Sequence, residues 1–142
     1  MKIIINEYKG YSRDEIYPLY ERAGWTNYTS NEKMLEAAYL NSALILAAYD
    51  GDKLVGIIRV VGDGHSIIFI QDIIVLPEYQ RRGIGTMLMR AILERYAEVY
   101  QIELATDNTE KTIAFYKSLG FHEMSDMGCA AFIRIKSGRP TG

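Results

Sequence analysis

The run Gln80-Arg81-Arg82-Gly83-Ile84-Gly85 constrains this chain more than any other stretch, because of what flanks it. Upstream, Ile67 to Val75 is mostly apolar and reads as a strand, which Pro77 stops by withholding a ladder donor. Downstream, Ile84, Met87, Leu88, Ala91 and Ile92 recur at helical spacing. The first amides of a helix have no backbone partner and carry partial positive charge, which suits a pyrophosphate. The two glycines remove the side chains that would keep such an anion at a distance.

Two common glycine motifs do not fit. The phosphate loop G-x-x-x-x-G-K-[ST] does not occur, and the dinucleotide fingerprint would need glycine where Leu88 stands. The stretch from Val75 to Leu88 reads Val-Leu-Pro-Glu-Tyr-Gln-Arg-Arg-Gly-Ile-Gly-Thr-Met-Leu. It resembles the acetyl-CoA site of the GCN5-related N-acetyltransferases, V-x-P-x-Y-Q-x-R-G-I-G-x-x-L. The stretch from Asn108 to Phe121 is similar to that family's second cofactor segment, N-x-x-A-x-x-F-Y-x-x-L-G-F. Here the alanine, Ala114, stands directly before Phe115-Tyr116. On its own residues this segment is a short helix, capped by Asp107 or Asn108 and closed by Gly120. The resemblance runs from residue 43 to 135.

The remaining periodicities give a single α/β domain over residues 1–136. Strands are expected over 2–8, 44–49, 53–61, 67–75, 102–105 and 130–135. Asp50-Gly51-Asp52 marks a hairpin. Helices are expected over 13–23, with Pro18 inside, and over 30–40, with Thr29 and Glu32 as a capping box. Two more follow over 83–97 and 109–119, and Gly24 to Tyr28 reads as a loop. The order β-α-α-β-β-β-α-β-α-β predicts a central mixed β-sheet with helices on both faces. The family resemblance implies the same layout, with the strand before the glycine turn and the strand after its helix splaying apart to admit the pantetheine arm. Residues 137–142 are expected to be a flexible tail or a cloning remnant.

Bulk composition excludes several classes. A net charge of −2 and a pI of about 5.7 give no electrostatic case for nucleic acid. No apolar run is long enough to cross a bilayer, and the N-terminus carries no signal peptide. His65 and His122 have no ligand-spaced partners, so no metal is expected. The single cysteine, Cys129, cannot form an internal disulfide, which favours a reducing, cytoplasmic compartment. It is expected to be buried in the last strand.

The resemblance implies transfer of an acetyl group from acetyl-CoA to an amine. It implies that Gln80, Arg81, Arg82, Gly83, Ile84, Gly85 and Thr86 hold the diphosphate, with Arg81 or Arg82 adding charge-assisted contacts. It places strand-end backbone groups of Ile73, Ile74 and Val75 along the pantetheine, one amide polarising the acetyl carbonyl. Tyr116 takes the place of the family's general acid, and Asn108 either bonds the cofactor or caps its helix. A phenol near pH 10 can protonate a thiolate near 8.5. Asp72 shares one face of its strand with Ile68, Ile70 and Ile74 by alternation. It either takes the proton of the amine or is a structural carboxylate paired with an arginine such as Arg59. By the same alternation Gln71 points to the opposite face.

The acceptor is read from residues 24–28. In the family this region walls the acceptor pocket; Trp25, with Tyr28 and Asp72, suits a small amine, flat and apolar or cationic, and Trp25 reads equally as a core anchor. The set Gly24-Trp25, Asn41-Ser42, Val55-Gly56, Arg59, Asp63 and Ile70 to Ile73 resembles the plant and cyanobacterial arylalkylamine (serotonin-type) acetyltransferases. Ala114 and Gln71 depart from that pattern. A protein N-terminus or lysine as acceptor, and a non-catalytic acyl-CoA sensor, are the alternatives. Dimers are common among proteins of this pattern, so a homodimer is the expected assembly.

Overall fold

The computed structural model describes residues 1–136. Five strands form one sheet in sequence order: β1 (Ile3–Glu7), β2 (Leu44–Asp50), β3 (Lys53–Gly62), β4 (Ile67–Val75) and β5 (Gln101–Leu104). The helices are α1 (Arg13–Arg22), α2 (Thr26–Thr29), α3 (Glu32–Leu40), α4 (Ile84–Arg95) and α5 (Glu110–Ser118). Neighbouring strands from β1 to β4 are antiparallel. β5 joins β4 parallel, because a helix-length crossover through α4 separates them. The chain divides into two compact units, Met1–Ala105 and Thr106–Gly142; the sheet and α1 to α4 belong to the first and α5 to the second. No helix among the described residues is long and apolar enough to cross a membrane.

Both faces of the sheet are covered. On one, Arg59 faces Asp72 across β3 and β4, and α1 reaches this pair through Tyr20. Gly56 lies three residues earlier on β3 and so points to the other face. A methyl group there would stand 3.5 Å from Leu88 Cδ1 of α4. Ile57, Ile58, Ile68, Leu88, Met89 and Ile92 are fully buried between these layers. Burial of one such side chain contributes about 1.5–3 kcal/mol, so the sheet order is fixed by this apolar filling.

The register of β3 on β4 contains the irregularity that shapes the site. Arg59 pairs with Asp72 and the next residue, Val60, pairs with Ile70. Gln71 is therefore the extra residue of a bulge, which bends and twists the strand. The bulge corrects the expectation from strict alternation: the Gln71 amide reaches the Tyr28 hydroxyl at 3.5 Å. On the opposite edge of β4, pairing with β5 ends at Ile70 and Leu104. Gln71 to Val75 thus have β3 on one side and no strand on the other.

Several local expectations are corrected. Thr29 does not begin the long second helix; it ends the short α2 inside the expected loop. The cap of α3 is Asn31, whose side chain accepts from the Met34 amide at 3.3 Å. Thr109, not Asp107 or Asn108, caps α5 and accepts from the Thr112 amide at 3.3 Å. α1 runs through Pro18, which lies on an exposed position where the carbonyl left without a donor can meet water. The strand expected over 130–135 is absent, and Phe132 and Ile133 are 94% and 85% exposed. β-propensity needs a neighbouring edge, and this segment has none in the described chain. For the same reason Cys129 is exposed, not buried. The tail expectation for 137–142 lies outside the described residues.

Candidate active site

Between β4 and α4 the backbone reverses through two left-handed residues, Arg81 (φ 64°) and Gly83 (φ 80°). Such alternation folds consecutive amides toward one concave point, an anion nest. The bookkeeping of donors is consistent with this. Gln80 N donates to Pro77 O and Met87 N to Gly83 O. Among the described residues, none of the amides from Arg81 to Thr86 donates to any protein group. Six adjacent donors without a protein partner are thus left at the positive end of a twelve-residue helix, all but that of the buried Ile84 on exposed or half-exposed residues. A methyl group at Gly83 or Gly85 would meet no atom within 4 Å. Protein packing does not demand glycine at 85; the space beside it is open, as an approaching phosphate requires.

Immediately upstream lies a cavity of about 300 Å³, within the range of small-ligand sites. Leu19 of α1 with Ala23 and Trp25 of the turn after it form one wall, and Ile73, Ile74, Val75 and Gln80 the opposite one. The wall of Ile73 to Val75 is the half of β4 that lacks a neighbour toward β5, so its outward amides have no strand partner there. Gln80 is held across the strand end, its Nε2 donating to Val75 O at 3.0 Å. Arg22 at the rim is bound to Glu78 at 2.9 Å, and Glu78 also meets Lys53 at 3.8 Å. The cavity therefore brings together Trp25, Ile73, Ile74, Val75 and Gln80. Leu19, Arg22 and Ala23 were not anticipated there; the helical face of α1 was legible, but not what it faces.

Asp72 does not open into this cavity. It is 3% exposed and both oxygens are engaged. Oδ2 accepts from Arg59 Nε and from the Tyr20 hydroxyl, each at 2.8 Å, and Oδ1 accepts from the Tyr28 hydroxyl at 3.0 Å. Arg59 is 4% exposed, and its remaining nitrogens donate to Ser42 Oγ at 3.2 Å and to the Tyr28 oxygen at 3.3 Å. Burial opposes the guanidinium charge, and the Asp72 carboxylate beside it outweighs that penalty, so the Arg59 pKa stands above the usual arginine value. The Tyr20 hydroxyl already donates its hydrogen bond to Asp72, so in the 2.9 Å contact between Tyr20 and Tyr39 it is Tyr39 that donates. Burial pushes all three phenols upward, and the Asp72 charge adds to it, so they remain donors at any working pH. Of the two roles open to Asp72, this geometry supports the structural ion pair with Arg59.

In the second unit, Tyr116 sits on α5, edge-on to Phe115 at 5.0 Å and to Phe121 at 5.9 Å. Burial first, then the Asp107 charge, raise its phenol above the ordinary value, so it is a loaded proton donor at neutral pH. Asn108 is exposed and is not the helix cap.

A mixed sheet with one strand left unpaired along half its edge thus leads directly into a donor-rich glycine turn. Residues 8–121 match the profile of the Acetyltransferase (GNAT) family. The chain belongs to that family and is an acetyltransferase. A GNAT-family acetyltransferase structure from Streptococcus pneumoniae TIGR4 is 45% identical, with 96% of this chain and 99% of that one covered at a TM-score of 0.86. An uncharacterized N-acetyltransferase, ycf52, of Pyropia yezoensis is 27% identical over 84% of this chain and 70% of its own length. A chloroplastic GCN5-related N-acetyltransferase 2 of Arabidopsis thaliana is 37% identical over 49% of this chain and 27% of its own length. The resemblance in the glycine turn and in the Asn108 to Phe121 segment is thus a family relationship.

Proposed function

We propose that the protein moves an acetyl group from acetyl-CoA directly to a small, aromatic primary amine, and that residues 1–136 act as one acetyltransferase domain. One observation carries the reading: six free amides lead off the unpaired edge of β4, which itself walls the Trp25 cavity. When bound, acetyl-CoA supplies a thioester whose acetyl group passes to the amine while the carrier leaves as a thiol. The amides of Arg81 to Thr86 take the diphosphate, and the Arg81 and Arg82 side chains add charge. The outward backbone groups of Ile73, Ile74 and Val75 align the arm, and one amide polarises the carbonyl. Trp25 holds the amine's ring. The Tyr116 hydroxyl gives its proton to the sulfur, and Asn108 bonds the carrier. A homodimer in the cytoplasm is the proposed form; the single thiol favours a reducing compartment.

Tyr116→Phe is expected to lower kcat by about 10²–10⁴-fold, the range for a lost general acid. Acetyl-CoA affinity measured by calorimetry should be unchanged. A wild-type rate would remove the role.

The cavity lining contains no carboxylate, and Asp72 is already paired. In this reading the amine sheds its proton to water, at a cost of roughly 4–5 kcal/mol at neutral pH for a lysine-like amine. The expected result is a kcat/KM that rises about tenfold per pH unit until the amine's own pKa. A plateau well below that pKa would reveal a base in the protein.

A panel of amines followed by free CoA release tests the whole reading. Turnover of phenylethylamine-type amines above aliphatic ones is expected. Tight acetyl-CoA binding without thiol release would make the protein a sensor, and release only with peptide amines would move the acceptor to protein.

A further inference from the structure

Trp25 is the only tryptophan of the chain, and it is wedged between two tyrosines. The Tyr20 ring stands edge-on to it at 5.8 Å, and the Tyr28 ring lies tilted beside it at 6.2 Å. The hydroxyls of these same two tyrosines end on the two oxygens of one carboxylate, Tyr20 on Asp72 Oδ2 and Tyr28 on Oδ1. Arg59 holds that carboxylate from below and also bonds the Tyr28 oxygen. Aromatic pairs alone have soft geometry; hydrogen bonds at their far ends fix ring tilt and depth. α2 has four residues and a single turn, so its own backbone does little to hold Trp25 in place.

We infer that Asp72, through Tyr20 and Tyr28, is the positioning residue of the acceptor wall: it clamps both neighbours of Trp25 and so sets where that indole stands in the cavity. The inference rests on reading the cavity as the acceptor site, and it gives the buried ion pair a role in amine selection. Arg59 and Asp72 then act at a distance from the reacting atoms. They touch neither the amine nor its carrier.

The indole itself reports the outcome, with acrylamide as the probe and with neither acetyl-CoA nor an amine present. In Tyr28→Phe, and in the Tyr20→Phe/Tyr28→Phe double variant, both rings remain and only the anchoring hydroxyls are lost. The acrylamide quenching constant of Trp25 should rise about twofold or more, and its emission should shift several nanometres to the red, while far-UV circular dichroism stays native. Tyr39→Phe loses a hydroxyl from the same cluster that does not touch Asp72, and should quench as the wild type does. A purely structural cluster would lower the melting temperature of all these variants and leave quenching of the folded protein unmoved. That result in Tyr28→Phe overturns the inference, as does equal loosening in Tyr39→Phe. Should the double variant not fold, Tyr28→Phe decides alone. Because the measurement needs no catalysis, a silent amine panel would sink the proposed reaction without affecting it.

Discussion

Gly85→Val should fold as the wild type does and bind acetyl-CoA about 100-fold more weakly. The separation of these two effects makes the substitution informative. Gly85 has an ordinary helical backbone, and a methyl group placed there meets no atom within 4 Å. A branched residue in the first turn of α4 therefore costs nothing in helix propensity, because glycine is the poorer helix former by roughly a few tenths of a kcal/mol. The same branch enters the open space beside Gly85, within the run of unpartnered amides from Arg81 to Thr86. A diphosphate held off by one carbon layer loses two or more charge-assisted hydrogen bonds, each worth about 1.5–3 kcal/mol. A loss of about 3 kcal/mol is about two decades in Kd. Gly83→Val is the weaker test, because its φ of 80° strains any side chain and mixes folding with binding. Calorimetric titration of Gly85→Val with acetyl-CoA, beside a thermal melt, reads both quantities. Unchanged affinity would mean that the carrier is held elsewhere.

What the sequence revealed of this site follows from the range of its interactions. The glycine turn is local: strand, proline, basic pair, two glycines and helix lie within consecutive residues, so chemistry and structure share one stretch of chain. Val75 ends its strand as expected, and the helix expected over 83–97 runs from Ile84 to Arg95 with Gly83 as its cap. The bulge at Gln71 was not legible, because it exists only in the register against β3 and leaves no mark on the apolar alternation of β4. The partners of Asp72 were half legible. Arg59 could be named as a candidate, but Tyr20, fifty-two positions away, read only as part of an apolar helix face. Its hydroxyl is the signal that it ends on something polar, since a buried phenol needs a partner. The missing strand over 130–135 is the converse case: propensity was present and a pairing edge was not.

Asp72→Ala should be the most destabilising single change in the first unit, by about 3–5 kcal/mol, the range for breaking one side of a buried ion pair. The reason is what remains. Arg59, 4% exposed, would keep its charge without a counter-ion, and the Tyr20 and Tyr28 hydroxyls would lose their acceptor. For a chain of this length the loss corresponds to a fall in Tm of roughly 10 °C or more. Arg59→Met should cost less, because the carboxylate left behind still accepts from two phenols and the methionine stem fills the vacated volume. The pair is coupled if the two losses do not add. In the Arg59→Met background, Asp72→Ala should cost at least about 2 kcal/mol less than in the wild type, a coupling expected for groups in direct contact. Urea unfolding of the four proteins with a shared m-value measures it. Additive losses would show that Asp72 is held mainly by its tyrosines, and the weight of the cluster would pass from the ion pair to the phenols.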